Sequence, residues 1–159
     1  FLVRKLEIMD HRDHISRIFA SLAVWLVRRE AVLDNLEGAA DGFGMLVNGL
    51  VEPQDLSEMC QVMEEVISAT SDELQMDQDQ SNPWRPWRVI NLNQGIAATR
   101  SLDPVLMEKT FEKLSRRLPH DMPGFFADGK RQMIGQNVPD EVQAVMNRYA
   151  DKWSNSLPH

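Results

Sequence analysis

Apolar residues in this chain recur at intervals of three and four, and period-two alternation is almost absent. Such spacing gathers hydrophobic groups on one face of a helix but scatters them over both faces of a strand. The expected fold is therefore all-α, with five or six amphipathic helices in one compact bundle. A chain of 159 residues suits a single domain, long enough to bury roughly 70% of the surface its unfolded form exposes. Apolar residues at 43% and charged residues at 26% fit a globular protein and exclude a disordered tail or a fibre.

The first helix is placed at about 13–37, with Ile15, Ile18, Phe19, Leu22, Leu26, Leu33 and Leu36 as its stripe and Gly38 as its stop. Residues 18–27 are apolar on nearly every side, so other helices are expected to surround them. Ten residues fall short of the about 20 that cross a membrane, so no membrane span is expected. A second helix covers 39–50 through Phe43, Leu46, Val47 and Leu50, weakened by its glycines. Pro53 opens the cleanest amphipathic helix, lined by Leu56, Met59, Cys60, Met63, Val66, Ile67 and Thr70. Asp103 before Pro104 is a cap and first-turn signal for a helix through Leu106, Met107, Phe111, Leu114 and Leu118. A short helix follows at 123–135. The last begins near Pro139 and turns Val142, Val145, Met146, Tyr149 and Trp153 inward, before a frayed tail.

Residues 72–100 hold acids, amides, two prolines and two tryptophans without a lasting period. They read as a long connection, with one extended stretch at 88–92, joining a helical subunit at about 13–71 to another at about 101–154. A shift of 86 residues lays Pro53, Leu56, Met59 and Met63 on Pro139, Val142, Val145 and Tyr149. That echo would make the two subunits pseudo-repeated three-helix units, although any two amphipathic helices align in some register.

Charge is the most specific feature. Residues 1–29 hold three acids and six bases, and residues 85–159 hold eight acids and eleven bases. Between them, residues 30–84 hold thirteen acids and neither Lys nor Arg, which brings the net charge to −7. An acidic balance argues against nucleic-acid binding, which draws on basic surface. It suits encounter with a protein of basic surface, or packing of the middle segment against the chain's own basic ends. Asp55, Glu58, Glu64 and Glu65 lie largely outside the apolar stripe of the helix that Pro53 opens, and Glu58, Glu64 and Glu65 are the candidate partner-binding acids. Arg116, Arg117, Lys130 and Arg131 are the internal bases that would compete for them.

Trp84, Arg85, Trp87 and Arg88 form the second candidate site. Tryptophan and arginine dominate binding hot spots, and the flanking Pro83 and Pro86 stiffen the segment. The same residues would equally anchor a long connection, the tryptophans on the helices and the arginines on the acidic run.

The remaining signals weaken the case for catalysis without removing it. His11 and His14 share a helix face, but Arg12 between them is no ligand, and this start of a helix collects polar residues for capping. Asp77, Asp79 and Ser81 imitate a calcium loop whose sixth and twelfth positions hold Asn82 and Arg88 in place of Gly and Glu. Cys60, the one cysteine, sits on an apolar stripe and is expected to be inert. No nucleophile elbow, phosphate loop or dinucleotide fingerprint is present, and no metal or cofactor is implied. Nine methionines suit irregular cores and adaptable grooves alike.

These signals favour a soluble, non-enzymatic interaction module, an adaptor, regulatory or assembly subunit, pairing with a basic protein surface or with itself. Two readings of other classes stay open: a regulatory domain enclosing a small apolar ligand, and a helical enzyme without a readable motif. A lone cysteine fits the cytoplasm or another reducing compartment, and a chain opening on Phe1 leaves room for a targeting segment outside it.

Overall fold

The computed structural model describes the backbone of residues 2–154 and the side chains from residue 14 to residue 154. Within them run α1 (Leu2–Val27), α2 (Glu37–Gly49), α3 (Pro53–Ser68), α4 (Asp72–Gln75), α5 (Pro86–Arg100), α6 (Pro104–Arg117), α7 (Met122–Met133) and α8 (Asp140–Ser154). A 3₁₀ turn at Pro119–Asp121 leads into α7. The described residues thus form eight helices in place of five or six, the additions being the single turn α4 and the full-length α5.

Five helices stand close to their sequence-based limits because local chemistry marks their ends. Proline occupies the first turn of α3, α5, α6 and α7, where its missing N–H costs no hydrogen bond. The Asp103 carboxylate accepts the Val105 and Leu106 amides at 2.9 and 3.1 Å, which satisfies two of the free donors of α6.

Two boundaries differ from expectation. The first helix starts at Leu2, not near Asp13, for neither Gly nor Pro interrupts the preceding residues, and it ends at Val27, not at Glu37. Its end is a Schellman turn: the Ala31 amide reaches the Leu26 carbonyl and the Glu30 amide that of Val27, with Glu30 at φ 64°. Glutamate stands where glycine is usual, so the stop carries no sequence mark. Leu33 then leaves the helix stripe altogether and bridges to Thr70 by the Leu33 amide on Ala69 and the Ser71 amide on Leu33.

The second correction concerns 72–100. Only about residues 76–85 connect; the rest is α4 and α5, and the stretch 88–92 is helical rather than extended. α5 packs against α2, α3 and α6, and its inward side carries Asn91, Gln94, Gly95, Ala97 and Ala98 beside Trp87 and Ile90. A helix buried through small and amide side chains shows no hydrophobic period, however central it is.

The core lies where α3, α5, α6, α7 and α8 meet, around Leu56, Met63, Ile67, Ile90, Met107, Phe111, Met122 and Phe126. Phe111 makes edge contacts with Phe125, Phe126 and Tyr149 at centroid separations of 5.9, 5.0 and 5.3 Å. By contrast, α1 is not surrounded. It rests on α2, with Ala20 and Ala23 buried, and touches α3 near its end, while Ile15, Ile18, Phe19, Leu22 and Trp25 are all exposed. The cause is close approach. A Cβ on Gly42 would lie 2.0 Å from the Ser16 carbonyl oxygen, and one on Gly38 would lie 2.5 Å from Phe19 Cγ. At Gly42 the helices are near enough to admit only small residues between them, Phe19 is accommodated because Gly38 has no side chain, and Ile15, Ile18, Leu22 and Trp25 are left exposed.

Candidate interaction surface

The segment before α5 is held by charge. Arg85 pairs through its Nε and Nη2 with Asp77, donates from Nη1 to the Asn82 carbonyl at 3.1 Å, and reaches Asp121 at 3.3 Å. Arg88 donates to Asp121 at 2.6 Å and to the Pro83 carbonyl at 2.9 Å. These arginines, half or more withdrawn from solvent, tie the connection to the 3₁₀ turn before α7. Trp87 inserts into the core at 4% exposure, whereas Trp84 stands 81% exposed on a backbone fixed by its amide on Asn82 Oδ1. Of the four residues in this candidate site, Trp84 alone presents its side chain freely to solvent.

The acids of α3 divide in the same way. Glu64 accepts from Ser68, Gln94, Lys113 and twice from Arg117, at 2.7 to 3.0 Å. Burial pushes its carboxyl up, but the hydrogen bonds from Arg117, Lys113 and Gln94 outweigh it and bring the pKa to about 2. Glu64 is thereby the hub that ties α3 to α5 and α6. Glu65 takes a two-pronged contact from Arg28, in the turn after α1, at 2.9 and 3.2 Å, and its pKa is lowered by that hydrogen bond. Glu58 is exposed and accepts from Gln54. Of the four bases expected to compete, Arg117 meets Glu64, while Arg116, Lys130 and Arg131 pair with Glu112, Asp151 and Asp128.

Cys60 is buried on α3, its Sγ 3.5 Å from Thr110 Oγ1, and burial pushes its thiol up to about 11. A thiol so disposed is almost entirely protonated at neutral pH and is a poor nucleophile. Among the described residues, no three His, Cys, Asp or Glu side chains come together as a metal site. His11 of the histidine pair lies outside the residues whose side chains are described. No described helix is long and apolar enough to cross a membrane.

A groove of about 830 Å³ runs between α1, the first turns of α2 and the start of α5. Its apolar wall is Ile15, Phe19, Leu22, Val89 and Trp84, and its rim carries Glu37 and Asp41. Neither carboxylate is paired among the described residues. A shallower groove of about 550 Å³ follows the other flank of α1, past Arg17, Ile18, Ser21 and Trp25. Leu22 borders both, so the exposed apolar face of α1 is a ridge between two furrows. The apolar run of α1 is visible in the sequence; that Trp84 comes to lie beside it depends on α5, which is not. Compared with models of protein families, with curated proteins and with solved structures, the chain matches none.

Proposed function

We propose that the protein is an interaction module, an adaptor or assembly subunit, whose groove between α1, α2 and Trp84 receives an amphipathic helix with a basic flank. One observation carries the reading: three large apolar side chains of α1, Ile15, Phe19 and Leu22, face solvent around a single furrow together with Trp84. Contiguous apolar surface of this kind marks an interaction site, and an exposed tryptophan on a braced segment suits a hot spot. Apolar anchors at helical spacing fit the groove floor, and basic side chains fit Glu37 and Asp41 at its rim, which are unpaired among the described residues. Within the acidic stretch, the partner contact then falls on those two carboxylates, since Glu64 and Glu65 are engaged internally and the exposed Glu58 of α3 does not line the groove.

Tryptophan emission tests it. A designed helical peptide with leucines at heptad spacing and lysines on its flanks is expected to shift the emission of Trp84 to the blue. The same peptide with glutamate flanks is expected to bind about tenfold more weakly at low ionic strength, and the gap should close in high salt. Absence of any shift up to about 1 mM lysine peptide would overturn the proposal.

A further inference from the structure

Ile15, Ile18, Leu22 and Trp25 follow one another at three, four and three residues, which is the seam spacing of a coiled coil. All four are exposed, at 44 to 63%, along two heptads of α1. A seam of this period fits another helix better than a flat surface, because each side chain becomes a knob for a hole on the facing helix. The flanks of the seam differ in charge. One carries the exposed Arg17; the other borders α2, with the exposed Glu37 and Asp41. Arg28, further along the basic flank, is held by Glu65 and takes no part.

Resting on the docking reading above, we infer that the helix received by α1 is α1 of a second copy, and that the two run parallel about a two-fold axis between them. Orientation follows from symmetry. When two identical helices pair face to face and antiparallel, the two-fold axis crosses them and sets each flank against its own counterpart, basic on basic and acidic on acidic. In the parallel arrangement the axis runs along the helices, and each flank meets the opposite flank of the other copy. Arg17 of each copy then faces Glu37 and Asp41 of the other, twice over, while Leu22 meets Leu22 across the axis. The chain supplies both halves of this complementarity: residues 1–29 are net basic, and residues 30–84 contain no base. Trp84, on the acidic flank, closes over the incoming helix and extends the contact beyond two heptads.

The test is sedimentation equilibrium of the whole chain at low ionic strength, with circular dichroism to verify folding. The expected result is a dimer with Kd of order 10 µM. Leu22→Glu should abolish it without changing helicity. Arg17→Glu and Asp41→Arg are each expected to weaken pairing about tenfold, and the two combined in one chain should restore it. A wild-type monomer at about 200 µM would overturn the inference, as would a dimer indifferent to Leu22→Glu, a combined variant that fails to recover, or an Arg17→Glu variant that pairs more tightly. The peptide titration separates this failure from that of the docking reading. A monomer that binds the lysine-flanked peptide loses only the second copy as occupant; a monomer that binds no peptide loses both.

Discussion

The hairpin of α1 and α2 and the cluster of α3, α6, α7 and α8 use opposite packing devices. In the cluster, large side chains interdigitate: Leu56, Met63, Phe111, Met122 and Phe126 are each at most 1% exposed, and the aromatic rings meet edge to face. In the hairpin, Gly42 meets the Ser16 carbonyl and Ala20 at near backbone contact, Gly38 lies under the Phe19 ring, and Ile15, Ile18, Leu22 and Trp25 of α1 stay exposed. Apolar burial of about 25 cal/mol per Å² rewards the first device far more than the second. The cluster therefore carries the stability of the domain, and the hairpin presents a hydrophobic face that the domain does not use for itself.

The contrast breaks most visibly at Phe126. Truncation to alanine removes a ring in contact with Phe111, Phe125 and Tyr149 and leaves a cavity that helices on all sides keep open. The expected loss is about 3–5 kcal/mol by urea denaturation. A loss below about 1 kcal/mol would show the cluster to be loosely packed.

Acid should loosen the cluster next. Glu64 has a folded pKa of about 2, below the ordinary carboxylate value, so it binds fewer protons folded than unfolded. Its contribution is complete above about pH 5 and is lost as pH falls through that interval toward 2. Glu64→Gln is expected to lower stability at pH 7 by about 2–3 kcal/mol and to flatten the stability curve between about pH 5 and 2. With Lys113 and Arg117 left short of their counter-charge, the loss arises from stranded cations as well as from missing hydrogen bonds. An unaltered slope in the variant would place the acid sensitivity elsewhere.

In the hairpin the decisive change is at Gly42. An alanine there sets its Cβ against the Ser16 carbonyl, a backbone atom that moves only if α1 moves. About 1–3 kcal/mol is expected to be lost, with faster amide exchange confined to α1 and α2. Exchange that quickens equally in α3 and α6 would mean that hairpin and cluster unfold as one unit.

What the sequence disclosed follows from the same two devices. Interdigitating helices advertise themselves, and the stripes of α3, α6 and α8 and the Asp103 cap stand where periodicity and capping chemistry place them. Small-residue contacts do not. Gly38 reads as a helix stop and Gly42 as a helix penalty until the Phe19 ring lies against the first and the backbone of α1 against the second, and α5 hides behind Asn91, Gln94 and its alanines. The candidate site inherits this limit. Trp84 is conspicuous in the sequence, yet its neighbours Phe19 and Leu22 look like core residues, because hydrophobicity does not report which side of a helix will be covered. Glu64, Arg85 and Trp87 fail in the other direction, since they resemble surface or hot-spot residues and are spent holding helices together.

The smallest effect sharpens the comparison most. Ile18 belongs to the same apolar run as Ala20 and Ala23, and by composition alone all three would count as core. Ile18 is 63% exposed, so exchanging it for serine removes little area from burial. Below about 1 µM, where an assembly with a Kd of order 10 µM is dissociated, Ile18→Ser is expected to change stability by less than about 0.5 kcal/mol. Serine at Leu56 should cost about 2–5 kcal/mol, because that side chain is 1% exposed in the cluster. Raising the concentration ought to separate the two positions further. The wild-type chain gains stability by mass action as copies pair, whereas Ile18→Ser, with a knob missing from its seam, gains less. Thermal midpoints measured across a hundredfold range of concentration would show this as a slope in the wild type that is reduced in the variant. An Ile18→Ser protein destabilised as severely as Leu56→Ser at low concentration would show α1 to be covered by its own chain, and the apolar ridge would cease to be a binding surface.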